Sequence, residues 1–180
     1  MATGPMTTEL KGTDLVRSGP SRAEAKREAG IRKFAEIFAR VALGAAFLSA
    51  VADRFGLWGA PGKPGVAWGD FQHFTQYAGM VNSFLPSRVI PAVAWAATIA
   101  ETTLGLGLVL GIYKRVMTLG SAALLLMFAL AMSISFGIKA PLDYSVFSAS
   151  AAAFLLFAMQ KRGGEERERR VRRRADRKEH

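Results

Sequence analysis

Val116–Ile138, VMTLGSAALLLMFALAMSISFGI, is a run of 23 residues without a charged side chain. At 1.5 Å per residue, a helix of that length measures about 34 Å, enough to cross a hydrocarbon core of about 30 Å. Its polar relief is hydroxyl-bearing (chiefly Ser121, Ser133 and Ser135), and a hydroxyl is cheap to bury when it bonds the helix's own backbone. A helix meeting water keeps a polar face along its length. This stretch has none, so a water-soluble bundle is set aside.

Working outward, the flanking blocks repeat the pattern. Upstream, Val89–Gly111 is opened by Pro86 and Pro91 and carries one charged residue, Glu101. Before it lies Ile37–Trp58, IFARVALGAAFLSAVADRFGLW, with Arg40 near one end and Asp53 and Arg54 near the other. Downstream, Tyr144–Gln160 is short for a crossing and is extended back to Leu142. The fold class expected is all-α: an integral membrane four-helix bundle with spans at about 37–58, 89–111, 116–138 and 142–160. An additional short amphipathic interfacial helix is expected between the first and second spans, within GDFQHFTQYAGMVNSF (69–84). Phe74, Ala78 and Val81 within it and Leu85 just after it recur at intervals of three or four, Asp70 is placed as the N-cap, and the segment is too short to cross.

The charges lie almost entirely outside these blocks. The chain has 24 Lys and Arg against 14 Asp and Glu, a net charge of +10. Residues 1–33 form a basic arm, read as cytoplasmic and partly disordered; residues 34–160 are the four-span domain; residues 161–180 are a basic tail. The excess of Lys and Arg in both flanks and in the Lys114-Arg115 turn places both termini on the cytoplasmic side. Basic flanks beside greasy blocks suit the anionic surface of a lipid bilayer. Nucleic acid is not an expected partner, since no base-reading module is present. The absence of cysteine excludes disulfides, iron–sulfur clusters and thiolate metal sites formed by this chain alone.

Glu101 lies about twelve residues into its span, near the midplane, where a carboxylate must be paired, hydrated or protonated. Thr98, Thr102 and Gly105 share its face. It is either a proton-handling or ligand-binding carboxyl, or a structural acid held by an Arg or a Tyr hydroxyl. Asp53 and Arg54, at the outer end of the first span, extend a polar network above Glu101 or anchor the interface with Trp58. His73 and Tyr77, one turn apart on the interfacial helix, are candidates for proton exchange with a bound quinone or organic substrate, against a solvated helix face. Lys139 and Tyr144 crowd the outer turn around Pro141. The catalytic candidates are thus Glu101, His73 and Tyr77; the ligand-binding candidates are Arg40, Asp53, Arg54, Lys139 and Tyr144; no metal ligands are expected, and one internal histidine cannot build a multi-histidine centre. Gly44, Gly107 and Gly111 provide close helix approach.

Over residues 34–160 the chain resembles the DoxX/DoxD-like family of small four-helix membrane proteins. The resemblance is carried by RVALGAAFLSAVADRFG with Arg40, by AWAATIAETTLGLGLVLGIYKR with Glu101, Gly107, Gly111 and Arg115, and by GIKAPLDYSVFSASAAAF. GAPGKPGVAWGDFQHF looks like a subgroup insertion. Some relatives are named as the small subunit of a thiosulfate:quinone oxidoreductase, others are associated with oxidative-stress complexes or receptor assembly. The resemblance directs attention to Arg40, Glu101 and Arg115. Thiosulfate chemistry is not supported by the chain's own residues, which include no cysteine nucleophile or flavin fingerprint.

The expected function is a membrane subunit with an amphipathic, quinone-like small-molecule site supporting an oxidoreductase complex. No cofactor motif is encoded, so the electron source would be a soluble or membrane oxidoreductase partner. The alternatives are a non-catalytic partner-binding or assembly protein and a small-molecule transporter, the last needing a homo-oligomer for alternating access. The expected location is the bacterial cytoplasmic (inner) membrane, multi-pass.

Overall fold

The computed structural model describes residues 21–160 and is all-helical. The chain divides into two compact units, residues 1–34 and 35–180. Within the described residues there are six α-helices: α1 (Arg22–Arg54), α2 (Phe71–Val81), α3 (Ile90–Leu110), α4 (Lys114–Phe136), α5 (Lys139–Asp143) and α6 (Val146–Met159).

In the first unit, α1 begins with a reciprocal cap. The Ser21 amide donates to Glu24 at 2.7 Å and the Glu24 amide donates to the Ser21 hydroxyl at 3.3 Å. This satisfies two amides that a helix start leaves open. Residues 22–33 of the basic arm are helical; residues 1–20 of the arm and the basic tail lie outside the described residues.

Among the described residues, three helices are long and apolar enough to cross a membrane: α1, α3 with its leading turn from Ser87, and α4. Large side chains such as Leu110, Val116, Met127, Leu130 and Ile134 stand on the outside of these helices. A water-soluble bundle would bury them; a hydrocarbon surround accepts them without cost. The chain is a multi-pass helical membrane protein.

The block expected to run from about 142 to 160 is broken. Ser145 adopts the left-handed conformation (φ 56°), which interrupts helical hydrogen bonding and separates α5 from the 14-residue α6. Helix contacts rest on small residues. A Cβ on Gly44 of α1 would stand 2.8 Å from the Gly105 carbonyl of α3, and one on Gly107 would meet Met117 of α4 at 2.5 Å. The Ser150 hydroxyl of α6 donates to the Ala122 carbonyl of α4 at 2.8 Å.

The segment between α1 and α3 folds back onto the bundle. Asp70 caps α2, and Phe74, Ala78 and Val81 form its buried face. Phe74 and Ala78 join Ile90 and Ala94 of α3; Val81 joins Ala131 and Met132 of α4, with Tyr77, Ala140 and Val146 alongside. The Ser135 hydroxyl of α4 donates to the Val81 carbonyl at 2.6 Å and pins the end of α2.

Candidate functional site

Arg54 ends α1 and turns inward, only 3% exposed. Its Nη2 lies 2.7 Å from both carboxylate oxygens of Glu101 on α3, and its Nη1 donates to the Thr98 hydroxyl at 2.8 Å. Thr98 stands one turn before Glu101, so both reach the same guanidinium, while its own hydroxyl donates to the Ala94 carbonyl. The charge pair is sealed by rings: the guanidinium lies 3.7 Å from the Phe74 ring centroid and 5.4 Å from that of Trp68. A desolvated cation over an aromatic face gains about 2 kcal/mol or more.

Asp53, beside Arg54, is used differently. Its Oδ2 accepts from the backbone amides of Ala67 and Trp68, at 2.9 and 3.0 Å. The carboxylate thereby ties the Gly-Pro-rich loop to the end of α1 and holds Trp68 against Arg54. Two buried polar atoms at this place have no hydrogen-bond partner, Asp53 Oδ1 and Arg54 Nε. Such atoms are few in native folds and need a reason.

The other sequence candidates fall elsewhere. His73 is on the exposed side of α2, its Nδ1 2.9 Å from Asp70, while the next residue, Phe74, faces Arg54. The amide and imidazole of His73 hold the Asp70 carboxyl below its ordinary value. Tyr77 is half-buried, its ring 5.7 Å from Trp68 and 6.3 Å from Phe136. Burial pushes its phenol above its ordinary value, with a smaller contribution from nearby Tyr144. Lys139 pairs with Asp143 on the surface, and Tyr144 is exposed.

At the opposite end of α3, the Arg40 Nε and Nη2 both donate to the Leu108 carbonyl, at 3.1 and 2.9 Å. This is one of the carbonyls that a helix C-terminus leaves without an intrahelical partner. Glu36 lies 3.8 Å from Arg40 and 3.5 Å from Lys114. Arg115 likewise donates to the Gln160 carbonyl just beyond α6, at 3.2 Å, and covers the Phe157 ring at 4.2 Å. Arg40 and Arg115 are thus engaged with the ends of α3 and α6.

The structure brings Asp53, Arg54 and Glu101 into one site and adds Thr98, Trp68 and Phe74. Thr98 had a sequence signal, its place three residues before Glu101. Trp68 had none, because a loop has no period to betray which way a ring faces. Among the described residues, no group of three or more His, Cys, Asp or Glu is placed to hold a metal ion.

A multi-pass helical membrane protein with a buried charge pair roofed by rings is the class that fold and site define. Comparison of the chain with protein-family models, with curated proteins and with solved structures finds no match.

Proposed function

We propose that the chain is a DoxX/DoxD-like membrane subunit whose Arg54–Glu101 site takes a flat amphipathic molecule of the quinone class on behalf of an oxidoreductase partner. In this reading α5 and α6 together make the fourth crossing and α2 lies at the outer interface. Both termini are on the cytoplasmic side of a bacterial inner membrane, as the distribution of Lys and Arg favours. The DoxX/DoxD assignment rests on the resemblance of residues 34–160.

The observation that carries the ligand is the pair of partnerless buried atoms on the neighbouring residues Arg54 and Asp53, Nε of the one and Oδ1 of the other. One is a donor and the other an acceptor, which suits a molecule that presents a carbonyl oxygen when oxidised and a hydroxyl when reduced. The surrounding rings of Trp68 and Phe74 suit its flat body. This chain would bind and orient the molecule; the electrons would come from the partner.

The test is the quinone content of the chain purified in mild detergent, extracted and quantified by chromatography. The expected result is near one quinone per chain, falling at least tenfold in Arg54→Gln and Glu101→Gln variants that still elute as folded protein. A wild-type chain carrying no more quinone than its co-purified lipid explains would overturn the reading.

One observation favours a second reading. Nη1 and Nη2 of Arg54 are already occupied within the fold, which suits a structural clasp in a non-catalytic partner-binding or assembly protein. Under that reading the same variants lose stability while quinone content is uniformly at background.

A further inference from the structure

We infer that the ligand reaches Arg54 sideways, from the outer half of the bilayer, through a portal formed by Phe55, Phe71 and Trp95. The inference rests on the small-molecule reading above and adds the route and the form of the ligand: a flat ring with an apolar tail that stays in lipid.

The rings form a succession from surface to site. Phe55 is 51% exposed and Trp95 is 49% exposed. Phe55 stacks on Phe71 at 6.0 Å with planes 18° apart, and Phe71 meets Trp95 at 4.4 Å. Phe71 lies 5.8 Å from Phe74, and Phe74 is the ring that covers the Arg54 guanidinium at 3.7 Å. Exposure falls from 51% at Phe55 to 5% at Phe74. The three portal rings come from separate elements: the residue after α1, the first residue of α2, and α3.

The loop side of the same site is closed more firmly. Asp53 Oδ2 holds the amides of Ala67 and Trp68, and Trp68 lies over Arg54. Gly69 is so close to the Ala60–Pro61 backbone that a Cβ there would fall 2.4 Å from the Pro61 nitrogen, and its φ of +73° keeps the turn tight. Opening that side breaks charge-assisted hydrogen bonds. Parting the portal replaces one ring contact by another, since an incoming aromatic ring offers the same stacking that Phe71 gives up. A flat apolar molecule therefore finds its easier path from lipid. A small hydrophilic anion would have to break the Asp53 tie.

The absence of cysteine in the chain makes the test clean. The full chain, with Trp58→Phe and Trp95→Phe so that Trp68 reports alone, is reconstituted in phospholipid vesicles. A short-tailed benzoquinone is added and the rate of saturable Trp68 quenching is followed. A bulky maleimide at Phe55→Cys should slow quenching at least tenfold. The same label at Lys63→Cys on the loop, or at Leu130→Cys on the outside of α4, should leave it within twofold. If Phe55→Cys does not fold, Trp95→Cys is labelled instead. Slowing by the Lys63 label with no effect at the portal would overturn the route while leaving the ligand reading intact. An absence of saturable quenching in the unlabelled chain would overturn both.

Discussion

Both carboxylate oxygens of Glu101 lie 2.7 Å from Nη2 of Arg54, and each side chain is 3% exposed, so two charges 47 positions apart neutralise one another inside the bundle. Removing one partner leaves the other buried and uncompensated, at a cost of about 3–5 kcal/mol. Glu101→Gln is expected to lower thermal stability in detergent by an amount in that range. The double replacement Arg54→Met with Glu101→Leu is expected to regain much of it, because it removes both charges and keeps the volume. A double variant as unstable as the sum of the two single variants would show that the pair is not a coupled unit.

Arg40 and the end of α3 make a second measurable relationship. Arg40→Ala removes two charge-assisted bonds to the Leu108 carbonyl, each of a kind worth about 1.5–3 kcal/mol. Arg40→Lys should recover only part of that, since an ammonium lacks the planar fork that addresses one oxygen twice. Gly111→Ala should also destabilise, because Gly111 has a φ of +72° and its Cβ would meet Arg40 Nη2 at 2.6 Å. Removing the guanidinium should relieve the steric part of that loss and leave the conformational part. Thermal melts of the variants and of the Arg40→Ala, Gly111→Ala double separate the two.

The cap of α2 sets a pH expectation. Asp70 accepts from the amide and the imidazole of His73, which lowers its carboxyl from the ordinary 3.8. A depressed carboxyl stabilises the fold above its unfolded value, and that contribution is lost as the pH falls through the folded one. The docking of α2, read from Trp68 emission, should therefore withstand acidification through the usual aspartate range and weaken only below it. Asp70→Asn, which still accepts but does not titrate, should remove that acid-dependent phase. An unchanged profile in Asp70→Asn would assign the transition to another group.

The fold-back of α2 has a direct check. Tyr77 and Ala140 flank the same cluster of Val81, Ala131 and Met132. A cysteine pair at Tyr77 and Ala140 should join through a short bifunctional reagent in the native membrane, whereas a pair at Tyr77 and Val116 should not. Persistent failure of the first pair would detach α2 from the C-terminal end of α4.

Much of this architecture was legible in residue order because the bilayer makes span detection a local problem. The uncharged run from Val116 to Ile138 answers to α4, and the lone charge of Glu101 is buried on the face it shares with Thr98 and Gly105. Phe74, Ala78 and Val81 mark the buried side of α2, with Asp70 as its cap. The break at Ser145 was not legible, because a left-handed serine carries no signature of composition or period. Nor was the division of labour between neighbours Asp53 and Arg54, one tying a loop and the other closing on Glu101.

Apolar length, charge segregation and helical period are properties of short stretches of chain, and by themselves they determined an all-helical membrane protein and the interior face of α3. Which carboxylate meets which guanidinium, and which rings roof the pair, was decided only by tertiary structure. Hydropathy sends a segment into lipid without specifying its rotation or its neighbour. The close approach of Gly44 to Gly105 and the return of α2 across α3 and α4 brought Arg54, Glu101 and Phe74 together.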